Sequence, residues 1–185
     1  MKPRLVTNTA PPAESAPATD PLDRLYERHA AQVKQWARSL AGPTADLEDL
    51  VHDIFVVALG KGWKDRGEAA VSTWLFRITH HVVRGKRRRA QLRHLLLGRN
   101  RDVMAPPSPH TPLQELERRE RHVRLYQALD QLPDSYRTML ILYELEELAG
   151  EQVAELTGIP LGTVWVRLHR GRERLLQLLA KEAQP

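Results

Sequence analysis

In the stretch "GIPLGTVWVRLHRGRERL", Gly158 to Leu175, Arg167, Arg170 and Arg174 recur at i, i+3 and i+7, so on a helix they share one face. Thr163 and Val166 stand at the end of that helix that would enter a groove, and the DNA major groove admits one such helix. The preceding "TGIP" is a corner. Gly158 there can adopt the left-handed conformation that ends a helix, Ala154 is small enough for close packing, and Val164 plugs the crossing. Gly171 falls on the inward side, where its cost of about 1 kcal/mol against alanine points to close backbone packing. An ordinary helical corner with a solvated arginine face explains Gly158 and Val164 equally well, but it gives the arginines no task.

Two further clusters carry charge. Eight lysines or arginines and no acid lie between His80 and Arg101, a density suited to phosphate contacts. Trp63 and Trp74 flank a short polar loop, and aromatic groups beside basic ones can hold an unstacked base. The spacing of Trp74 with Ile78 favours a core position for that residue. Asp46, Glu48, Asp49 and Asp53 form an acidic patch with no lysine or arginine between Gly42 and Gly60, which would repel DNA and must face solvent or a basic protein. These acids lack calcium-loop spacing, and the adjacent His80 and His81 point about 100° apart with no third ligand, so no metal or other cofactor is expected. No nucleophile motif, phosphate-binding glycine loop or paired acid and base favours catalysis.

The elements that position these residues are all helical, giving an all-α class with two small domains. Asp20-Pro21 starts a helix in which Leu22, Leu25, Tyr26, His29, Val33, Trp36 and Leu40 recur at three and four, up to Gly42-Pro43. In "TADLEDLVHDIFVVALGKG", Leu47, Leu50, Val51, Ile54, Phe55 and Ala58 make one apolar stripe, with the acids mainly off it. Lys61 to Ala70 reads as a polar loop, and Ser72 as the cap of a third helix that turns basic at "RGKRRRAQLRH". The four prolines between Leu97 and Pro112 mark a linker. "TPLQ" then reads as a capping box opening the second domain, with helices expected over 113–131, 134 to about 147, 151–157 and 161 to about 181. Residues 1–20, rich in Pro, Ala, Ser and Thr, are expected to be a mobile tail.

Composition agrees with that outline. The 185 residues carry a net charge of +5, contain no cysteine and have only 5% aromatics, so a soluble, disulfide-free intracellular protein is expected. No signal-peptide core and no apolar run of membrane-spanning length is visible.

The blocks "DLEDLVHDIF", "STWLFRITHHVV" and "KRRR", followed by "LDQLPDSYRTMLILYELEEL" and "VAELTGIPLGTVWVRLHRGRERL", together resemble an extracytoplasmic-function sigma factor, the compact two-domain class of bacterial sigma factors. The resemblance runs from about Leu22 to Leu179. It implies a cytoplasmic protein without catalysis of its own that binds the β′ and β subunits of core RNA polymerase, directs it to promoters and helps open duplex DNA onto a melted non-template strand. Residues 21–96 would be the region 2 domain, 97–112 the linker and 113–185 the region 4 domain. Glu48, Asp49 and Asp53 correspond to the helix that docks on the polymerase. The loop from about Lys64 to Val71, with Lys64 and Arg66, corresponds to the one that captures a flipped base of the minus-ten element. Arg77, His80, His81, Arg84, Lys86, Arg87 and Arg88 would follow that element's backbone and separated strands. Leu161, Thr163, Val166, Arg167, Arg170 and Arg174 would serve the minus-thirty-five element. An anti-sigma factor that clamps both domains is the regulator such proteins commonly have.

Several residues depart from the family pattern. His52 stands where glutamine is frequent, His80 and His81 replace the usual "RN", Gly85 replaces a frequent aspartate, and Trp165 and Val166 replace a polar residue and serine. Protonation of His80 and His81 is expected to raise DNA affinity. Two other readings compete: a helix-turn-helix regulator that needs no polymerase, and a metal-dependent nuclease using Asp46, Glu48 and Asp49. The first gives the acidic helix no role, and the second lacks a ligand set.

Overall fold

The computed structural model describes residues 21–62, 68–97 and 113–182. The expected tail, Trp63, Lys64, Arg66, Thr111 and all of the linker beyond Leu97 lie outside these residues. Among the described residues seven α-helices follow in order: α1 Pro21–Ala41, α2 Leu47–Gly60, α3 Glu68–Leu97, α4 Leu113–Asp130, α5 Asp134–Leu140, α6 Gly150–Thr157 and α7 Leu161–Glu182. No strand occurs among the described residues, as the periodicities require.

The first three helices pack on one another around Leu25, Val33, Trp36, Leu40, Leu50, Ile54, Phe55, Leu75 and Phe76. Val33, Trp36 and Leu40 in α1, Leu50 and Ile54 in α2, and Leu75 and Ile78 in α3 are spaced at three and four, so each helix buries a single stripe. Trp36 meets Phe76 edge to face with ring centroids 5.3 Å apart, joining α1 to α3. Asp46 caps α2, its carboxylate accepting from the Asp49 amide at 3.2 Å. At the end of α1, Gly42 has φ +93 and its amide donates to the Arg38 carbonyl at 2.9 Å, an arrangement that favours glycine.

Ser72 does not cap α3. The helix begins at Glu68, and the Ser72 hydroxyl instead donates to the Gln32 side chain of α1 at 3.3 Å. The expected polar loop is therefore shorter, with residues 68–70 helical and Val71 buried in the core. Trp74 is half-buried against that core, as its spacing implied.

The second group, α4 to α7, closes around Leu129, Met139, Leu140, Ile141, Leu142, Val153, Val164 and Leu168. The single helix expected from Asp134 to about Glu147 is divided. After Leu140 the chain widens into a π-helical turn over Ile141–Leu145, closed by the Glu146 amide donating to the Ile141 carbonyl at 3.0 Å. Glu147 follows with φ 54, which reverses the chain toward α6.

The two groups are joined by direct contact, with α6 packed on α3 and the π turn on α1. The seam is largely polar. Arg137 of α5, fully buried, donates from Nη1 to the Leu40 carbonyl at 2.7 Å, and the Tyr126 hydroxyl donates to the Ser39 carbonyl at 2.8 Å. Gln35 and Ser39 of α1 both donate to the Glu146 carboxylate. No helix among the described residues is long and apolar enough to cross a membrane.

Candidate nucleic-acid interface

The corner before α7 is built as its residues demand. Gly158 adopts φ +71 and its amide donates to the Ala154 carbonyl at 2.8 Å, ending α6. The Pro160 carbonyl then accepts from the Thr163 and Val164 amides at 2.8 and 3.1 Å, starting α7. Val164 and Leu168 are buried, and Gly171 faces Leu140 so closely that a Cβ would lie 3.3 Å from its side chain. These inward positions fix which residues face out. Val166 and Arg170 are exposed, and Leu161, Thr163 and Arg167 are half-buried beside them.

Not every arginine of α7 is equally placed for a groove. The Arg174 guanidinium stacks over the Tyr136 ring at 5.2 Å, and Arg172 pairs with Glu144 at 2.6 Å while lying over Tyr143. Trp165, which sequence reasoning noted only as a departure, bolts α7 to α6. Its indole meets Tyr143 edge to face and covers Gly150, where a Cβ would lie 2.6 Å from the ring. A glycine at residue 150 and a tryptophan at 165 become partners only in three dimensions, so spacing gave no signal of it.

On α3, Arg77, His80, Arg84 and Arg87 stand at i, i+3, i+7 and i+10 and form one stripe. That stripe faces the second group of helices. The His80 Nε2 lies 3.1 Å from Asp134 Oδ2 and 3.0 Å from Thr138 Oγ1, and Arg84 Nε approaches the same carboxylate at 3.4 Å. Arg87 forks, reaching Asp134 at 3.3 Å and Asp130 at 2.8 Å. Asp130 also accepts from Arg137 Nε at 3.2 Å. Arg77 lies where a Cβ on Gly158 would come within 2.6 Å of its guanidinium. His81 and Arg88 lie off this stripe and are exposed.

Burial works against the charge of Asp134, yet the His80 hydrogen bond and the charges of His80, Arg84 and Arg87 outweigh it and hold the carboxyl below its usual range. Burial and the neighbouring Arg87 push Arg137 down to about 10, so it stays charged at neutral pH.

The acidic face of α2 has a partner within the chain. Lys86 Nζ lies 2.6 Å from both Asp49 and Asp53. Burial disfavours the Lys86 ammonium, but these hydrogen bonds raise its pKa above the ordinary value, while the bond from Lys86 lowers that of Asp49. Lys86 thus turns toward α2 rather than toward the stripe. Glu48 is exposed and lines a cleft of about 570 Å³ between α1 and α2, with Tyr26, Val51, Phe55, Val56 and Leu59. Among the described residues no cluster of three or more His, Asp or Glu side chains is disposed to hold a metal ion.

Comparison with known proteins accounts for both groups of helices. The Sigma-70 region 2 family matches residues 25–93, and the Sigma-70 region 4 family matches residues 122–175. The ECF RNA polymerase sigma factor SigE of Mycolicibacterium smegmatis is 32% identical over 87% of this chain, which spans 62% of that protein's length. The RNA polymerase sigma factor CarQ of Myxococcus xanthus is 30% identical over 89% of this chain and 92% of its own. The sigma factor RpoE of Bartonella quintana, solved in complex with the anti-sigma factor NepR, has the same fold, with a TM-score of 0.54 at 23% identity over 88% of this chain and 97% of that one. With region 2 followed by region 4 on one helical chain, and with relatives of this identity along nearly its whole described length, the protein belongs to the RNA polymerase sigma factors of the extracytoplasmic-function class, which are transcription initiation factors and not enzymes.

Proposed function

We propose that this protein binds core RNA polymerase in the bacterial cytoplasm, directs it to a set of promoters and assists their opening. The observation that carries this reading is the order of the two matched regions, 25–93 and then 122–175, with α7 exposing Val166 and Arg170 beyond its buried side. Glu48 and the α1–α2 cleft are the polymerase-docking surface. Its acidic edge suits a basic partner, and its exposed Tyr26, Val56 and Leu59 supply apolar area. Asp49 and Asp53 contribute through Lys86, which holds them in place.

In the same reading Leu161, Thr163, Val166, Arg167 and Arg170 face the minus-thirty-five element, Arg174 contributing from its seat on Tyr136. Val166 offers a methyl pair to a thymine methyl where a serine would offer a hydroxyl, and Arg170 offers its fork to guanine or phosphate. Lys64, Arg66 and the α3 groups Arg77, His80, His81, Arg84, Lys86, Arg87 and Arg88 serve the minus-ten element, as duplex and as a melted strand. The domain limits are 21–96 and 113–185, with 97–112 between them. An anti-sigma factor that holds both domains is the expected regulator; a sigma factor of the same fold is solved in complex with an anti-sigma factor.

The test is transcription in a purified system on a genomic fragment library, comparing core polymerase alone, the protein alone and both together. Defined start sites that appear only with both support the reading. Their absence, with a folded protein free of bound inhibitor, removes it.

A further inference from the structure

We propose that Trp165 is a positioning residue for promoter reading: with its indole seated on Gly150, it sets the roll of α7 and, through that roll, the base preference of Val166 and Arg170. The inference rests on the groove-reading role given to α7 above. Val164, Leu168 and Gly171 form the buried line of this helix. A helix held along one line can still rotate about it, so contacts on its flanks decide where the outer residues point. Trp165 and Arg172, seven residues apart, stand on one flank, roughly 100° around from Val164. Arg174 stands on the other, over the Tyr136 ring. Val166 and Arg170 lie between the two flanks, on the exposed side.

The seat is shaped for the indole. Gly150 opens α6, and its φ is not in the left-handed region, so the backbone there does not call for glycine. Space does. A Cβ would lie 2.6 and 2.8 Å from Cζ2 and Cη2 of the indole and 3.2 Å from Leu161 Cδ1. Glycine is a weak helix former, and its presence at a helical position with an ordinary backbone matches the close approach of the ring. Tyr143 meets the same indole edge to face, with centroids 5.5 Å apart, and in turn lies under the Arg172 guanidinium at 5.5 Å, while Arg172 pairs with Glu144. One flank of α7 is thereby fastened to both α6 and the π turn. Trp165 is nevertheless 43% exposed, whereas Val164 and Leu168 close the core beside it, so the indole braces the helix rather than filling the interior.

The lever is large enough to matter. A roll of about 20° moves a side-chain tip about 6 Å from the helix axis by about 2 Å, which is more than a hydrogen bond to a base edge tolerates. Val166 directly follows Trp165, and Arg170 stands little more than one turn beyond it, so both move with the indole. Loss of the seat therefore changes the preference at both of their base pairs together.

The experiment selects from random minus-thirty-five duplexes with the full chain loaded on core polymerase, below the melting temperature of every variant. Val166→Ser and Arg170→Ala first mark which base pairs those two residues read. Gly150→Ala keeps the indole but removes its seat, Trp165→Phe keeps an aromatic ring but vacates the space at Gly150, and Gly150→Ala/Trp165→Phe fills that space again. Each single variant is expected to lower discrimination at both marked positions by roughly five-fold or more. The double variant is expected to return to within about two-fold of the parent, because the two changes are coupled through one contact. Single variants that melt lower yet select the parent's sequence would reduce Trp165 to a structural role and overturn the proposal. Single variants that shift the preference with no recovery in the double variant would mean that the indole itself touches a base, and would overturn it equally. In both cases the parent still selects a sequence. A folded parent that selects none when mixed with core polymerase would remove the functional reading itself, and the proposal with it.

Discussion

The Arg137 guanidinium, 1% exposed, donates to the Leu40 carbonyl at 2.7 Å, so a charged group of the second domain satisfies the end of the first helix of the chain. The Leu40 carbonyl lies in the last turn of α1, where acceptors have no partner within the helix. A buried charge is tolerated here because Asp130 accepts from Nε and the Tyr126 ring lies 5.8 Å away.

Replacing Arg137 removes the cation and leaves Asp130 and the Leu40 carbonyl short of a donor. Arg137→Met is expected to destabilise the protein by about 3–5 kcal/mol, since breaking one side of a buried pair costs more than the pair is worth. Arg137→Lys is expected to recover only part of this, because an ammonium on a single stem does not reproduce a fork. Urea unfolding of the three proteins measures both.

Gly42 combines a left-handed backbone with contact to the other domain. A Cβ there would lie 2.7 Å from the Tyr126 ring. Gly42→Ala is expected to cost about 1–3 kcal/mol from backbone strain, and to displace Tyr126 from its bond to the Ser39 carbonyl. Thermal unfolding gives the first quantity, and a change in tyrosine fluorescence or ring resonances gives the second. Gly62, which also has a positive φ but nothing near its Cβ position, is the control for strain alone.

Acid should loosen the seam through Asp134, and base should loosen the packing of α2 on α3 through Lys86. Asp134 has a folded pKa below its unfolded value of about 3.9, so its stabilising contribution is complete above that value and disappears as pH falls through the lower, folded one. Lys86 is shifted upward, so its contribution is complete below its unfolded value of about 10.4 and is lost as pH rises through the folded one. Melting temperatures across this range should show a plateau between the two limbs, and Asp134→Asn should flatten the acid limb alone.

Promoter preference should follow the outer face of α7. Arg170→Ala is expected to weaken binding to a selected duplex by about 1–3 kcal/mol, while Val166→Ser should change the preferred base more than the affinity. Selection from a random duplex library by each protein, loaded on core polymerase, distinguishes the two effects.

What sequence reasoning reached, and what it missed, divides along a physical line. Helices α1 and α2 and the corner at Gly158 were legible because burial of one face imposes a spacing on Leu25, Val33, Trp36 and Leu40, and because a left-handed turn favours glycine. Gly171 was legible for a related reason, a cost inside a helix that only close packing repays. The start of α3 was misplaced because Ser72, a good cap residue, found Gln32 instead. Arg137 was passed over because arginine in "DSYRTML" reads as an exposed position, and its burial depends on a carbonyl 97 residues away. The contact of His80 with Thr138, 58 residues apart, likewise follows no local period. Electrostatic partners such as Lys86 with Asp49 and Asp53 are visible as charges in the sequence, but their pairing is decided by how α2 and α3 cross.

Binding to core RNA polymerase is the measurement that bears most directly on the central claim. Purified protein and its Glu48→Lys variant would be titrated onto immobilised core enzyme. The expected result is a saturable one-to-one complex for the parent and at least about ten-fold weaker binding for the variant, as reversal of a charge at a complementary interface requires. A folded, inhibitor-free parent protein that shows no binding would contradict the assignment of this chain as a working sigma factor.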